Sequence, residues 1–308
     1  MVLRMRYGKL IFVILLTAMV AVTAIPWFSG SHSERLILAT TTSTYDSGLL
    51  DYLIPFFEQK YRVRVDVLPK GTGEAIEITK RGDADLVLVH SRTLEEQFVN
   101  SEYGIHRVGV MYNDFIIVGP SNDPAGIRGT NATSAFIRIA EAGGKGNVKF
   151  ISRADKSGTN ILELKMWDSI GIEPSHTKYS WYWEAQTGMG FTLRMCNENN
   201  AYTLTDRATW LTFKNQLTNL DSLVEKDEIL LNPYALILLN PDKYPQRNYK
   251  MALAFVKFCI SSEGQNLISS FKKEDTTLFM PMARDFEKAT RLGFPNQAQE
   301  VSWYDSQQ

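Results

Sequence analysis

Short aliphatic runs alternate with amphipathic stretches along most of the chain, and this alternation restricts the possible folds more than any other feature. Runs such as Leu36–Ala39, Leu86–Val89 and Ala235–Leu239 have the length of buried strands and carry no charge. Other runs that we interpret as strands are Val63–Leu68, Phe115–Val118 and Val148–Ile151. Strands separated by helices predict an α/β architecture with mainly parallel sheets.

Three of the intervening stretches have apolar residues at helical spacing. These residues are Leu49, Leu50, Leu53, Phe56 and Phe57 in the first stretch, Ile161, Leu164 and Trp167 in the second, and Ala252, Phe255, Val256 and Cys259 in the third. Pro55 falls inside the first helix and should kink or split it. The second helix should end near Gly171.

A length of 308 residues fits about two domains, and two segments have the form of crossings between them. Phe115–Pro120 ends in a Gly-Pro break, and Leu230–Pro233 leads into the strand that follows. If the chain crosses at both points, residues 35–118 and 230–308 form a first lobe and residues 119–229 form a second. A cleft between two such lobes could enclose a small ligand.

The first 24 residues have the composition of a secretory signal. Arg4, Arg6 and Lys9 precede an uncharged run from Leu10 to Ile25, and cleavage is expected after Ala24. The run is shorter than the roughly 20 residues of a membrane span, although an uncleaved anchor remains the alternative. No cysteine directly follows the run, which excludes a lipid anchor there. We therefore expect a periplasmic or otherwise extracytoplasmic protein.

Net charge and cysteine content exclude several classes of protein. The whole chain has 33 Lys and Arg against 34 Asp and Glu, which gives no reason to expect nucleic-acid binding. The two cysteines, Cys196 and Cys259, form no CxxC pair, so a cysteine-based zinc site and a disulfide-rich scaffold are both excluded. A single disulfide and two separate thiols both remain open.

Two turns rich in hydroxyls or glycine lie where a predicted strand meets a predicted helix. The run Thr40–Thr44 places five consecutive hydroxyls beside the free N–H groups of a helix N-terminus, which favours an oxyanion site over simple helix capping. In Gly71-Thr72-Gly73, the glycines would let the backbone approach a ligand closely. A plain turn explains this second motif equally well.

Two further turns add arginine. His90-Ser91-Arg92 follows a strand directly, and Arg92 could either donate a charged fork to an oxyanion or pair on the surface with a nearby glutamate. In the stretch from Ser152 to Thr159, the Ser157-Gly158-Thr159 motif could direct hydroxyl and N–H groups at an anion. Arg153 could add a cation held in place by Asp155.

Motifs of an enzyme are sparse. The chain has no Gly-x-Ser-x-Gly and no His-Glu-x-x-His motif, and its four histidines are scattered. We interpret His90 as a structural residue, and we expect a protein that is not an enzyme and has no metal site.

Nine blocks of sequence, in order from about Leu36 to Pro281, resemble the tungstate-binding proteins of bacterial ABC importers. The blocks are Thr40–Asp51, Gly82–Asp85, Leu88–His90, Met111–Phe115, Val118–Pro120, Asp123–Gly126, Ser157–Thr159, Gly188–Gly190 and Ala201–Arg207. The resemblance implies a type II periplasmic-binding-protein fold, in which two α/β lobes close over the ligand. It also implies an ABC permease and ATPase as partners, no cofactor, and a monomer.

The same resemblance implies ligand residues. In the hydroxyl turn they are Thr41, Thr42 and Ser43; Arg92 is a further one, and we add Thr72 from the glycine turn. The Arg-x-x-x-Ser-Gly-Thr stretch is similar to the anion loop of the more distant phosphate-binding proteins, and this likeness adds Arg153, Ser157, Gly158 and Thr159. Asn160 departs from the family, which often has histidine there.

The chemistry of tungstate fits such residues. At neutral pH it is a tetrahedral dianion without a proton, so a dry site must offer donors and no acceptor. A phosphate site would need a carboxylate acceptor, and His90-Ser91-Arg92 contains none. The predicted function is therefore capture of tungstate, bound as the oxyanion, and its delivery to an ABC permease. The alternatives are a molybdate- or phosphate-binding protein of the same fold, and an extracytoplasmic enzyme acting on phosphate esters.

Overall fold

The computed structural model describes residues 34–273 and 275–307 as a mixed α/β structure. The predicted signal, residues 1–24, lies outside the described residues. Within the described part of the chain, no helix is long and apolar enough to cross a membrane.

Twelve strands are assigned in the described ranges. They are β1 (Glu34–Thr41), β2 (Val63–Lys70), β3 (Leu86–Val89), β4 (Gly104–Pro120), β5 (Phe150–Ser152), β6 (Tyr182–Glu184), β7 (Thr203–Asp206), β8 (Leu220–Val224), β9 (Leu231–Leu239), β10 (Lys272–Lys273), β11 (Thr276–Thr277) and β12 (Met280–Pro281).

Twelve α-helices lie between and after these strands in the same ranges. They are α1 (Thr42–Asp46), α2 (Leu49–Tyr61), α3 (Thr72–Lys80), α4 (Arg92–Asn100), α5 (Ala132–Gly144), α6 (Gly158–Ser169), α7 (Met189–Asn199), α8 (Arg207–Phe213), α9 (Tyr249–Ile260), α10 (Ser262–Ser270), α11 (Phe286–Arg291) and α12 (Gln297–Ser306).

The larger sheet has eight strands. Its main order is β12-β4-β9-β3-β1-β2, and β7 and β8 pair with the second half of β4. β1 and β3 run parallel, whereas β9 runs antiparallel to both β3 and β4. A separate parallel pair joins β5 and β6. The prediction of mainly parallel sheets is therefore wrong, because alternation of strands and helices does not reveal the direction in which long strands such as β4 and β9 run.

Strand β4 has 17 residues and changes partners along its length. Its residues from Gly104 to Asp114 pair with β9, and those from Phe115 to Val118 pair with β7. The strand thus continues through the first predicted crossing. The division into lobes at 118/119 and 229/230 stays a prediction.

Helices cover both faces of the larger sheet. Successive residues of β1 and β3 point to opposite faces, so that Leu86 and Leu88 belong to one buried cluster and Val87 and Val89 to another. Phe57 and Phe255, whose rings are 5.0 Å apart, join α2 to α9 in the first cluster. A third cluster packs α5 and α6 against the second half of β4.

Two predicted helices differ from expectation. α2 continues through Pro55 and is not split there. Proline has no N–H to donate to the carbonyl of Asp51, but both residues lie on the exposed side of the helix, where water can reach that carbonyl. α6 exposes Ile161 and Leu164 and buries Glu163. Of the three apolar residues from which this helix was predicted, Trp167 is buried as expected, and Ile161 and Leu164 are not.

The cysteines are separate buried thiols, one on α7 and one on α9. Burial raises the pKa of both Cys196 and Cys259, which keeps them protonated. Of the two alternatives left open by the sequence, the structure has the one without a disulfide.

The contact of α10 with the end of α9 leaves no room for a side chain at Gly264. A Cβ there would lie 2.1 Å from the carbonyl oxygen of Phe258 and 2.9 Å from Cys259 Cα. We expect Gly264→Ala to lower the free energy of unfolding by about 1–3 kcal/mol, as measured by urea denaturation. The control is Gly144→Ala in α5, where a Cβ meets no atom within 4 Å. Equal stability of the two variants would contradict this packing.

Candidate functional site

A cavity of about 50 Å³ lies where several strand ends meet the N-termini of helices. Its lining comes from the ends of β1, β2, β3 and β7, the middle of β4, and the starts of β9 and α6. The lining residues are Thr41, Thr42, Ser43, Lys70, Gly71, Thr72, His90, Asn113, Phe115, Arg153, Ser157, Gly158, Thr159, Asp206, Asn232 and Tyr234. The volume suits a ligand of a few water-sized groups and is far below the 300–1,000 Å³ of sites for drug-sized molecules.

Eight of the nine predicted ligand residues line this one cavity. They are Thr41, Thr42, Ser43, Thr72, Arg153, Ser157, Gly158 and Thr159. The structure does not bring Arg92 to them. Its side chain is 58% exposed, and its Nε donates to Glu96 Oε1 at 2.7 Å. The surface pairing that the sequence left open for Arg92 is the arrangement found.

The hydroxyl turn forms a compact hydrogen-bonded unit at the end of β1. Thr41 caps α1 by accepting the Thr44 N–H at 3.3 Å, and its Oγ1 lies 2.6 Å from Thr44 Oγ1 and 3.2 Å from Ser43 Oγ. Capping and cavity lining are thus combined in the same residues, and these contacts fix the positions of the hydroxyls.

The glycine turn brings backbone to the cavity wall. Gly71 is the N-cap of α3 and offers no capping side chain, so the first N–H groups of this helix lack a side-chain acceptor of their own. Lys70, which sequence reasoning did not select, also lines the cavity and pairs with Glu74 at 3.1 Å.

The segment Arg153–Ser157, here called the anion loop, joins β5 to α6. Arg153 donates from a terminal nitrogen to Asp155 Oδ2 at 2.5 Å, and Asp155 Oδ1 accepts the Ser157 N–H at 3.1 Å. The role expected for Asp155 in holding Arg153 is therefore present. Arg153 Nε is buried and has no hydrogen-bond partner among the described residues. Buried polar atoms in proteins almost always have a hydrogen-bond partner, and an acceptor in the cavity could supply one here.

His90 packs tightly against the start of α6. A Cβ at Gly158 would lie 2.6 Å from His90 Cε1, and the His90 ring is 4.9 Å from that of Tyr234. Burial lowers the pKa of His90 to about 4, and a hydrogen bond with Asn232 opposes this shift only in part. His90 is therefore neutral at pH 7.

Asn113, Asn232 and Tyr234 form a polar cluster that sequence reasoning missed. Asn113 and Asn232 lie opposite each other on β4 and β9, and Asn232 Nδ2 donates to Asn113 Oδ1 at 2.9 Å. Both amides donate to Tyr234 Oη at 3.1 Å, and Thr44 is a further hydrogen-bond partner of this phenol. Burial raises the pKa of Tyr234, so the phenol proton is retained. The available signal was a polar residue interrupting each aliphatic strand.

Asp206 is a carboxylate in the lining, and it was also missed. The expectation of a site without an acceptor considered only the end of β3, whereas Asp206 comes from the end of β7. Its Oδ1 accepts the Thr209 N–H at 2.8 Å and its Oδ2 accepts Thr209 Oγ1 at 2.7 Å. Each oxygen thus already has one donor from the helix that Asp206 caps.

A larger cavity of about 430 Å³ adjoins the small one. The two share Thr42, Ser43, Arg153 and Asp206. The Gly188–Gly190 turn, one of the blocks quoted above, lines the larger cavity only.

The donor set is suited to a small oxyanion. Hydroxyls, amide N–H groups and the Arg153 fork outnumber the single carboxylate of the lining. Among the described residues, no three His, Cys, Asp or Glu side chains cluster as they would around a metal ion.

The buried His90 makes stability depend on pH. Because its pKa is about 4 in the folded chain and about 6.5 when unfolded, the unfolded chain binds the proton first as pH falls. The free energy of unfolding should then decrease by up to about 1.4 kcal/mol per pH unit between pH 6.5 and 4. In His90→Gln, the free energy of unfolding measured by urea denaturation should depend less steeply on pH. The control His176→Gln removes an exposed histidine, and equal slopes in both variants would contradict burial of His90.

Similarity to known proteins identifies the family of this chain. The family model described as "PBP superfamily domain" matches residues 29–263. The chain is 47% identical over 262 residues to a putative ABC transporter anion-binding protein of Haloferax volcanii, covering 83% of this chain and 74% of that protein. It is 45% identical over 253 residues to the tungstate-binding protein TupA of Peptoclostridium acidaminophilum, covering 80% and 86%.

A solved structure of known function is also similar to this chain. The tungstate-binding protein TupA from Desulfovibrio alaskensis G20 superposes with a TM-score of 0.74 at 38% identity, covering 80% of this chain and 98% of that one. The names of these relatives describe transport proteins and not enzymes. The chain has the type II periplasmic-binding-protein fold and belongs to the PBP superfamily, in the group of ABC-transporter substrate-binding proteins that includes TupA.

Proposed function

We propose that this protein captures tungstate in the small cavity, outside the cytoplasmic membrane, and delivers it to an ABC permease. The observation that carries the proposal is Arg153 Nε, a buried donor at the anion loop without a partner among the described residues. Tungstate would supply the missing acceptor. The names of the relatives support this ligand, since two of them are tungstate-binding proteins.

The surroundings of Arg153 support a ligand without protons. The same cavity is lined by Thr41, Thr42 and Ser43 and by Ser157 and Thr159, so hydroxyl donors come from two separate turns. Each hydrogen bond to a charged group contributes about 1.5–3 kcal/mol. Several such bonds offset the desolvation of a dianion and leave nanomolar affinity, about −12 kcal/mol.

The remaining features are proposed with the ligand. The segments 35–118 with 230–308 and 119–229 would act as two lobes that close on the anion. Residues 1–24 would direct export, and a permease with its ATPase would receive tungstate from a monomeric binding protein. Small anions of the same shape and charge, above all molybdate, are the alternative cargo within this function.

Phosphate is a second candidate because of Asp206. Hydrogen phosphate carries a proton that a carboxylate in the lining could accept, and Asp206 lies in the lining. Its two oxygens already accept hydrogen bonds from Thr209, which favours a capping role over a ligand contact. We therefore keep tungstate as the proposed ligand.

Calorimetric titration tests the ligand and the role of Arg153 together. We expect tungstate to bind at one site, more tightly than sulfate or phosphate. Arg153→Ala should weaken tungstate binding at least about tenfold, because at least one charged hydrogen bond is lost.

The matched control is Arg92→Ala, which removes the same side chain from outside the cavity. We expect it to bind tungstate as the unaltered protein does. Absence of a binding heat with tungstate would refute the proposed ligand. A larger loss of tungstate affinity in Arg92→Ala than in Arg153→Ala would show that the binding site is not at Arg153.

The variant Asp206→Asn distinguishes tungstate from phosphate as the ligand. Asparagine caps helices as well as aspartate, so the fold should be kept. Removing a negative charge from the cavity should strengthen tungstate binding at least about tenfold. Phosphate binding should weaken only if Asp206 accepts the phosphate proton, and it should otherwise strengthen as well. Titration of both anions at pH 8 measures the two changes. Weaker tungstate binding at unchanged melting temperature would show that Asp206 contributes favourably to the bound state.

A further inference from the structure

Glu163 lies outside the cavity lining and is 2% exposed. Its Oε1 accepts hydrogen bonds from Trp167 Nε1 at 2.9 Å and from Tyr182 Oη at 2.8 Å. Its Oε2 accepts from Ser152 Oγ at 2.5 Å and from Asn160 Nδ2 at 3.2 Å. All four acceptor positions of an ionised carboxylate are thus occupied by neutral donors.

Two of these donors also hold the anion loop. Ser152 Oγ accepts the Ala154 N–H at 3.1 Å, and Asn160 Oδ1 accepts the Lys156 N–H at 3.0 Å. Ala154 and Lys156 have φ angles of 49° and 60°, which are uncommon for residues with side chains. Such a conformation persists only where its surroundings fix it.

The two oxygens of Glu163 therefore serve different parts of the molecule. Oε2 connects to the loop through Ser152 and Asn160, whereas Oε1 connects to Trp167 and Tyr182 in the buried cluster around Phe150.

We propose that Glu163 is a positioning residue, which holds the anion loop in its ligand-binding conformation before the ligand arrives. The inference rests on the proposed function. Donors that are already in place lose little freedom on binding, whereas a loop that must first be ordered weakens the observed affinity. Burial raises the pKa of Glu163, and its four hydrogen bonds oppose that shift.

The test compares two variants that each remove one hydroxyl donor to Glu163. Ser152→Ala acts on the loop side and Tyr182→Phe on the core side, and Glu163→Gln alters both. Three quantities are measured: tungstate affinity by calorimetry, melting temperature without ligand, and hydrogen exchange of the Lys156 amide. The Lys156 amide is diagnostic because its own acceptor, Asn160 Oδ1, is intact in all three variants.

We expect Ser152→Ala and Glu163→Gln to weaken tungstate binding at least tenfold and to speed exchange at Lys156 at least tenfold. Tyr182→Phe should lower the melting temperature but leave both other quantities within twofold of the unaltered protein. Equal losses of affinity in Ser152→Ala and Tyr182→Phe would overturn the proposal, because the effect would then follow stability alone. Unchanged exchange at Lys156 in Ser152→Ala would overturn it as well.

Two further outcomes remain decisive. If Glu163→Gln does not fold, the hydroxyl pair still tests the proposal, because unchanged affinity or unchanged Lys156 exchange in Ser152→Ala would overturn it. If the unaltered protein does not bind tungstate, the proposed function fails, but exchange at Lys156 in the ligand-free variants still shows whether Glu163 holds the loop.

Discussion

The candidate site contains a donor that is buried and has no hydrogen-bond partner among the described residues. Arg153 Nε has this property, although an unpaired buried donor costs about 1–3 kcal/mol. The ion pair with Asp155 holds the guanidinium, and the Asp155–Ser157 contact ties that pair to the start of α6. The local fold thus accepts a cost in stability that an oxyanion would remove.

A polar interior supports this arrangement. The first half of the helix that follows the anion loop buries Asn160 and Glu163 and exposes Ile161 and Leu164, whereas its second half buries Met166 and Trp167 as an ordinary amphipathic helix would. Local rules are typically broken where a site imposes its own requirements. Here the requirement is a loop with two residues at positive φ, held from behind by hydrogen bonds.

Much of this fold and site could be predicted from the sequence, because the relevant signals are local. Each of two motifs can be recognised from a few consecutive residues: the hydroxyl run after a strand and the Ser-Gly-Thr before a helix. Asn113 and Asn232 could not be paired in advance, since they meet only through the register of β4 and β9. Asp206 lies at the end of β7, a strand that the pattern of aliphatic runs did not predict. For Arg92, the sequence left open either an oxyanion or a nearby glutamate as the partner, and the fold shows that the partner is Glu96.

Arg153 and Asp206 line both of the neighbouring cavities, so the lining that the two cavities share carries one positive and one negative side chain. A doubly charged anion that moves between the cavities would be attracted by Arg153 and repelled by Asp206. The rate of exchange with solvent would then depend on these two charges as well as on how tightly the solute is held.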